Sequence, residues 1–547
     1  MKTTIWLAAT VSGLFLAGCA DESAPNGEED TSRSSWRASS YDPLDESIVQ
    51  TDSGPLKGSL FEGYRTFQAI PYAAPPVGER RWLAPGPVAA WSEPRDATKP
   101  PNACIQGGGS KPVTGAEDCL YLNVTTPRGP ASNGLKPVMV WLHGGAFVSG
   151  FAHRYDPHRL AQTGDAVVVT ANYRLGIFGL LAHPGLPDTD FSLQDQRAAL
   201  RWVQRNARAF GGDPNNVTFF GESAGGLSVC AHLTSPSSAG LFQRAALQSG
   251  MCTTTWPDQG LDPDNGAGSG WLSPDEARAR GVTAAQGLGC TDPKTAADCM
   301  RKIAAADVLA SPAVQGPPAF GYPSYGSRIL PEHPARALAK GWFHRVPVLA
   351  GSNLDEGRAF VLAYHARSPI TAERYRELLK ISYKENADQV EAQYPLSAYD
   401  SPVLAWASVI TDRVIACPTL QGERLLAART PVYAFEFADR NAPAVLPVPP
   451  GMPSGAMHTS ELLYLFDIPP FNPNFTAEQK ALSDTMVRYW TRFARTGKPN
   501  AADLPDWTRF QAANPVPYVQ SLGTGEGAIH GVDFGAEHKC DFWSSLE

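Results

Sequence analysis

Val217-Thr218-Phe219-Phe220-Gly221-Glu222-Ser223-Ala224-Gly225-Gly226 is the stretch whose reading decides this chain. A β-prone run ends at Phe220, and three glycines and an alanine then surround one serine. Leu227-Ser228-Val229-Cys230-Ala231-His232-Leu233 can continue as a helix. The pattern is strand, sharp turn, helix, with Gly221-x-Ser223-x-Gly225 at the turn. A serine held there takes a strained backbone conformation and lifts its hydroxyl above the sheet edge. The flanking glycines are needed because a Cβ would clash where strand and helix nearly touch. The helix N-terminus behind the serine supplies a positive field suited to a developing oxyanion. Taken alone, the motif fits a glycine-rich turn with a solvated serine equally well, so its weight comes from the rest of the chain.

Upstream, Pro137-Val138-Met139-Val140-Trp141-Leu142 reads as a buried strand that runs into His143-Gly144-Gly145-Ala146-Phe147. A glycine-rich loop after a strand can aim successive backbone N–H groups at one point. Acyl transfer needs such donors where the tetrahedral oxygen will sit. Ala166–Tyr173, Ala245–Gly250, Val346–Gly351 and Val432–Phe437 read as further strands. Ser192–Phe210, Thr371–Ile415 and Ala477–Thr496 are helical in pattern, and 257–330 reads as a polar insertion outside the sheet. Strands alternating with helices predict a largely parallel sheet with helices on both faces.

Composition narrows the function. The chain has 547 residues, 43% hydrophobic and 18% charged, with a net charge of −8 and no long basic run. That argues against a nucleic-acid partner and against binding an anionic membrane by charge. At the N-terminus Lys2 precedes an apolar run from Ile5 to Leu16, too short to span a bilayer. Leu16-Ala17-Gly18-Cys19 resembles a bacterial lipobox, which implies a signal peptide over 1–18 and lipidation of Cys19. The other reading is an ordinary secretory signal, and both export the protein. Residues 19–46 are rich in Ser, Asp, Glu and Asn and read as a disordered tether. The expected globular domain is 47–547, in the cell envelope or secreted.

A serine hydroxyl needs a base, and the base needs a carboxylate that fixes its tautomer. With a nucleophile turn of this type the chain order is serine, acid, histidine. Glu356, in the loop after the Val346–Gly351 strand, and His458, in a later loop, are the leading candidates. Asp355 and Asp412 remain as acids, and His333, His344, His365, His530 and His538 remain as histidines.

Ile70-Pro71-Tyr72-Ala73, Glu117-Asp118-Cys119-Leu120-Tyr121-Leu122-Asn123, Asn172-Tyr173-Arg174 and Phe210-Gly211-Gly212-Asp213-Pro214 carry a resemblance. With the serine turn, Asp355-Glu356-Gly357 and Tyr489-Trp490-Thr491-Arg492-Phe493-Ala494, they resemble the type-B carboxylesterases, the cholinesterase-like branch of the α/β-hydrolases. The resemblance implies an α/β-hydrolase fold, with Ser223 as nucleophile, Glu356 as acid and His458 as base. It makes Gly145, Ala146 and Ala224 the oxyanion donors, Glu222 a buried carboxylate beside the histidine and Ser249 a serine near the acid. The family pattern pairs Cys104 with Cys119, Cys290 with Cys299 and Cys417 with Cys540, as fits an exported enzyme. Cys230 and Cys252 are left open, free or paired with each other.

Two departures bear on specificity. The Cys104–Cys119 loop has no tryptophan, which argues against choline recognition through a cation–π contact. The oxyanion loop reads Gly-Gly-Ala where Gly-Gly-Gly is commoner. Trp256 is expected either to line the acyl pocket or to pack in the core. The resemblance implies hydrolysis of small-molecule carboxylic esters, short to medium in acyl chain, with neither metal nor organic cofactor required. The competing readings are a lipase on longer glycerides and a non-catalytic binding protein like the neuroligins.

Overall fold

The computed structural model describes residues 45–109, 111–129, 134–315, 320–446, 448 and 452–546. The expected signal peptide, the expected lipidation site at Cys19 and the expected tether up to residue 44 lie outside these residues.

An eleven-stranded sheet organises the described residues. In chain order its strands are β1 (Ser59–Leu60), β2 (Tyr64–Pro71), β3 (Tyr121–Pro127), β4 (Lys136–Leu142), β5 (Val167–Ala171), β6 (Gly212–Glu222), β7 (Arg244–Gln248), β8 (Val348–Asn353), β9 (Val432–Phe437), β10 (Val519–Leu522) and β11 (Gly531–Val532). In space the order is β11-β10-β9-β8-β7-β6-β4-β5-β3-β2-β1. The strands from β5 through β4 to β10 are parallel, with Phe219 opposite Val140 and Ala245. The antiparallel members lie at the two ends, β1–β3 at one and β11 at the other. This is the mixed sheet of an α/β-hydrolase, with helices on both faces.

The central strands are buried along their whole length, which is why they read as continuous apolar runs. Their side chains alternate between two cores. Val138, Val140 and Leu142 face one side, and Met139 and Trp141 the other. The first core takes helix α2 (Phe191–Asn206) through Leu200 and Val203; the second takes α7 (Ala477–Thr496) through Met486 and Trp490. Helix α7 is closed at both ends, by a Thr476–Gln479 capping box and by Gly497 in the left-handed region.

Between β7 and β8 the chain leaves the sheet for short helices and a two-strand ribbon of Thr255–Trp256 with Gly268–Ser269, as the polar insertion predicts. The helical pattern over Thr371–Ile415 breaks into pieces. Pro395 and Pro402 interrupt it, and Ser401 caps a new helix, α5 (Pro402–Ile410), by accepting from Leu404 N–H. The next six residues, Thr411–Ala416, form a π-helical turn before α6 (Cys417–Ala427).

Four disulfides close the described cysteines: Cys104–Cys119, Cys290–Cys299, Cys417–Cys540 and Cys230–Cys252. The last resolves the pair left open by the sequence. Cys230 lies on helix α3 (Ala224–Thr234) and Cys252 just beyond β7, and the two elements pack side by side.

Candidate active site

The elements that follow the C-terminal ends of β4, β6, β8 and β9 meet at one edge of the sheet, where open parallel sheets place their sites. Ser223 occupies the turn between β6 and α3, with φ 57° and ψ −119°. A non-glycine residue pays about 1–3 kcal/mol for such a conformation. The turn is held by Ser223 N–H donating to Gln248 O at 2.9 Å and Leu227 N–H donating to Ser223 O at 2.9 Å. Glycine is required beside it: a Cβ on Gly225 would lie 2.2 Å from Leu142 O, and one on Gly221 2.6 Å from Gly225 C. Strand and helix approach this closely because neither glycine carries a side chain.

The loop after β4 sits against the serine. A Cβ on Gly144 would fall 2.5 Å from Glu222 Oε2 and 3.0 Å from Ser223 Cβ. Gly145, Ala146 and Phe147 all have positive φ, at 100°, 54° and 58°. The turn closes with Val148 and Ser149 N–H both donating to Gly145 O at 3.0 Å. Behind it, Tyr173 OH donates to His143 O at 2.6 Å while its ring stacks on the His143 ring at 4.4 Å. The N–H groups of Gly145, Ala146 and Ala224 donate to no acceptor among the described residues. Ala224 is the first residue of α3, so its N–H has no intrahelical partner either.

Glu356 and His458 come together from loops after β8 and β9. His458 Nδ1 meets Glu356 Oε2 at 2.6 Å, and Glu356 Oε1 accepts from Asn353 N–H at 2.8 Å. A proton on Nδ1 facing the carboxylate leaves the Nε2 lone pair as the basic position. His458 Nε2 lies 3.1 Å from Glu222 Oε1, yet the alignment is not that of a hydrogen bond, and both atoms are without a partner. Phe360, one turn into helix α4 (Gly357–Arg367), covers the imidazole with ring centroids 4.9 Å apart.

A third carboxylate completes the cluster. Glu461, three residues after His458, is fully buried and accepts from Gln248 Nε2 at 3.0 Å and Asn353 Nδ2 at 2.8 Å. Its spacing from His458 is the only signal of it in the sequence. Burial pushes Glu222 up to about 8, helped by the charges of Glu461 and Glu356 and opposed by His458. Burial would lower His458, but Glu222, Glu356 and Glu461 outweigh it and hold the imidazole up at about 9. Three carboxylates around one imidazole thus favour its protonated form.

The other candidates lie elsewhere. Asp355 turns away from His458 to Arg358 at 2.9 Å, Arg440 at 3.0 Å and the Ala456 N–H. Asp412 binds His538. His344 Nε2 meets Ser235 O at 2.7 Å, and His365 Nδ1 accepts from Ile370 N–H. His333 precedes a short helix and packs against Tyr325, and His530 lies beside β11 at the end of the sheet. Ser249 lies just past β7 with φ 51°, and its buried hydroxyl has no hydrogen-bond partner among the described residues, Glu356 included. Trp256 packs in a core with Val361 and Leu362 of α4, and with Trp271, Arg280 and Tyr322 it also borders a cavity of about 450 Å³. None of the residues lining that cavity is Ser223, His458 or a member of the Gly145 loop. A second cavity of about 610 Å³ borders the oxyanion-type loop at Val148 and Ser149 and is walled by Gly107–Gly109, Leu175, Val314 and Phe320.

Comparison with known proteins gives one answer along the chain. The profile described as "Carboxylesterase family" matches residues 45–543. Pyrethroid hydrolase Ces2e of Rattus norvegicus is 33% identical over 544 residues, covering 92% of this chain and 88% of that protein. Fumonisin B1 esterase of Sphingopyxis macrogoltabida is 34% identical over 510 residues, 88% of each. Para-nitrobenzyl esterase of Bacillus subtilis (strain 168) is 33% identical over 484 residues, 85% of this chain and 92% of its own.

Proposed function

The chain belongs to the carboxylesterase family and is a carboxylic ester hydrolase, and from that premise we propose that Ser223, His458 and Glu356 carry the reaction through an acyl-enzyme. The observation that carries the reading is His458: its Nδ1 is held by Glu356 while its Nε2, 3.1 Å from Oε1 of Glu222 in the residue before Ser223, has no hydrogen-bond partner among the described residues.

Ser223 Oγ attacks the ester carbonyl as His458 Nε2 takes its proton, and Glu356 holds the imidazolium in place. The tetrahedral oxyanion rests on the N–H groups of Gly145, Ala146 and Ala224, which have no other acceptor among the described residues. Collapse expels the alcohol, protonated by His458, and leaves the acyl group on Ser223. Water then attacks with His458 again as base, releasing the acid and restoring the serine. Glu222 acts on the base through charge, favouring the imidazolium that forms as Ser223 loses its proton. Ser249, with no partner for its hydroxyl, is assigned to the polar shell behind this group.

The substrates are small esters with short to medium acyl chains. A cavity of about 610 Å³ beside the oxyanion loop supports this, as do relatives named for esters as different as pyrethroids, fumonisin B1 and para-nitrobenzyl compounds. Four disulfides fit a protein folded in an oxidising, exported compartment. The proposed layout is a signal peptide over 1–18, a lipid anchor on Cys19, a tether to 46 and the hydrolase over 47–547.

The test is hydrolysis of p-nitrophenyl acetate, butyrate, octanoate and palmitate by the protein and by Ser223→Ala. Turnover that peaks at acetate or butyrate and falls by at least about 10⁴-fold in the variant is the expected result. A peak at palmitate would replace the esterase with a lipase. A Ser223→Ala enzyme of undiminished activity would remove the serine from the mechanism.

A further inference from the structure

We infer that the corner of the sheet formed by the turn from β1 to β2 is a docking surface for a lipid bilayer. The turn presents Leu60 and Phe61 to solvent, 42% and 44% exposed. Leu135, 39% exposed, ends the neighbouring connection between β3 and β4, which is tied to the turn by Arg128 N–H donating to Gly63 O at 3.1 Å. The Phe61 ring is braced from behind. It stacks on Tyr64 at 4.8 Å, and Tyr64 stacks on His158 at 5.4 Å. A rigid pair of aromatic rings beside exposed leucines, with arginines at the rim, is the composition that settles at a bilayer interface.

The occupant is argued from where the rest of the chain leaves. Glu46, at the start of the described residues, is held at this corner: Arg65 Nη1 donates to Glu46 O at 2.6 Å, and Arg128 Nε meets Glu46 Oε2 at 2.7 Å. Arg65 is the partner of Leu60 in the β1–β2 ladder. Glu46, one residue into the described chain, therefore lies beside Leu60 and Phe61. Residues 20–45 reach at most about 90 Å when fully extended. With Cys19 lipidated, the corner meets the membrane as an intramolecular event, and a modest apolar contact suffices. With a net charge of −8, contact by the apolar tip rather than by overall charge is what the chain permits.

The topology gives the docked enzyme an orientation. Tyr64 pairs with Pro127 and Pro71 with Tyr121, while Ala171 pairs with Leu122. The turn thus lies at the edge where β4, β5 and the other parallel strands begin. Ser223, Glu356 and the Gly145 loop follow the ends of their strands, at the opposite edge. Docking by this corner turns the catalytic edge away from the bilayer, so esters reach it from water. Trp342 and Val516 are more exposed, at 60% and 55%, but precede β8 and β10. Those strands lie six and eight places from β2 in the sheet order, so Trp342 and Val516 serve as controls.

The test is amide hydrogen exchange of the full chain, alone and bound to vesicles of phosphatidylethanolamine and phosphatidylglycerol. Exchange over 60–64 and 134–136 should slow at least threefold on binding, with 340–344 and 143–150 unchanged. The double variant Leu60→Asp, Phe61→Asp should lose that slowing while keeping its p-nitrophenyl butyrate activity; Trp342→Asp should keep both. Failure to bind vesicles, or binding without slowing at 60–64, overturns the proposal. Slowing at 143–150 instead would put the catalytic edge on the membrane. Slowing at 60–64 without vesicles, rising with protein concentration, would assign the corner to a second copy of the chain.

Discussion

Two buried histidines in this molecule are each flanked by two carboxylates, and only one is the proposed base. His458 meets Glu356 at 2.6 Å through Nδ1 and Glu222 at 3.1 Å through Nε2. His538 meets Asp412 at 2.6 Å through Nδ1 and Glu436 at 2.6 Å through Nε2. Both are held protonated above the usual histidine range. Burial opposes this in each case, and the carboxylates prevail, at about 9 for His458 and about 10 for His538. The difference is one nitrogen. His538 spends both on hydrogen bonds and clasps the C-terminal segment to β9 and the π-helical turn, next to the Cys417–Cys540 disulfide. His458 leaves Nε2 unbonded beside the residue that precedes Ser223. Carboxylates favour the protonated form of both histidines, and the unfilled Nε2 is what suits His458, once neutral, to its proposed role as base.

Activity should divide the pair most sharply. His458→Gln is expected to lower kcat/KM on p-nitrophenyl butyrate by about 10⁴-fold or more, and His538→Gln to leave it within about threefold. Equal losses in the two variants, both folded by circular dichroism, would end the distinction. Stability should divide them the other way. His538→Ala strands Asp412 and Glu436 in the interior, a loss of about 3–5 kcal/mol in urea unfolding. The sign with pH follows from the raised value. In the wild type this contribution is fully present below the ordinary histidine value of 6.5 and fades as pH rises through about 10. Unfolding midpoints of wild type and His538→Ala that fail to converge at high pH would show that the clasp does not depend on charge.

Glu222 sharpens the comparison from the working side. A base must be neutral, so kcat/KM should rise with pH as His458 loses its proton. Glu222 favours the imidazolium; Glu222→Gln should therefore move the acid limb to lower pH, by about one unit or more. A limb that stays in place in the pH–rate profile would mean that Glu222 carries no charge while the base titrates.

What the sequence made legible follows from how local each feature is. The serine turn and the loop through Gly145 announce themselves because close backbone approach demands glycine within a few residues of a strand end. Glu356 and His458 could be ranked by chain order, and the structure sets them 2.6 Å apart. Features that depend on packing between distant segments stayed hidden. Asp412 and His538 stood only as weaker alternatives for acid and base, since nothing in either neighbourhood shows that they bind each other. The Cys230–Cys252 bridge depends on how α3 lies beside the residues after β7. The helical pattern over Thr371–Ile415 runs on through Pro395 and Pro402, where local breakers outweigh the apolar period. Glu461 follows His458 closely, yet nothing local marks its role, because its partners Gln248 and Asn353 end two distant strands.

Glu461 supplies the smallest expected effect. Its charge also raises His458, but it follows Glu222 and Glu356 in weight. Both its oxygens are occupied, Oε1 by Gln248 and Oε2 by Asn353. Gln248 is the residue whose carbonyl accepts the Ser223 N–H, and its Oε1 accepts from Trp490 Nε1 at 3.0 Å. Glu461→Gln would put an amide NH₂ against one of two amide donors. Either Gln248 would have to turn its side chain, giving up Trp490, or Asn353 would turn its own. Charge removal alone should shift the acid limb of kcat/KM down by a few tenths of a unit, less than Glu222→Gln, with kcat on the plateau nearly unchanged. A plateau kcat that falls tenfold with the limb in place would show that Glu461 acts by orienting the serine turn through Gln248. A double variant with Glu222→Gln separates the two: independent charge effects add in the position of the limb, whereas a shared hydrogen-bond network does not.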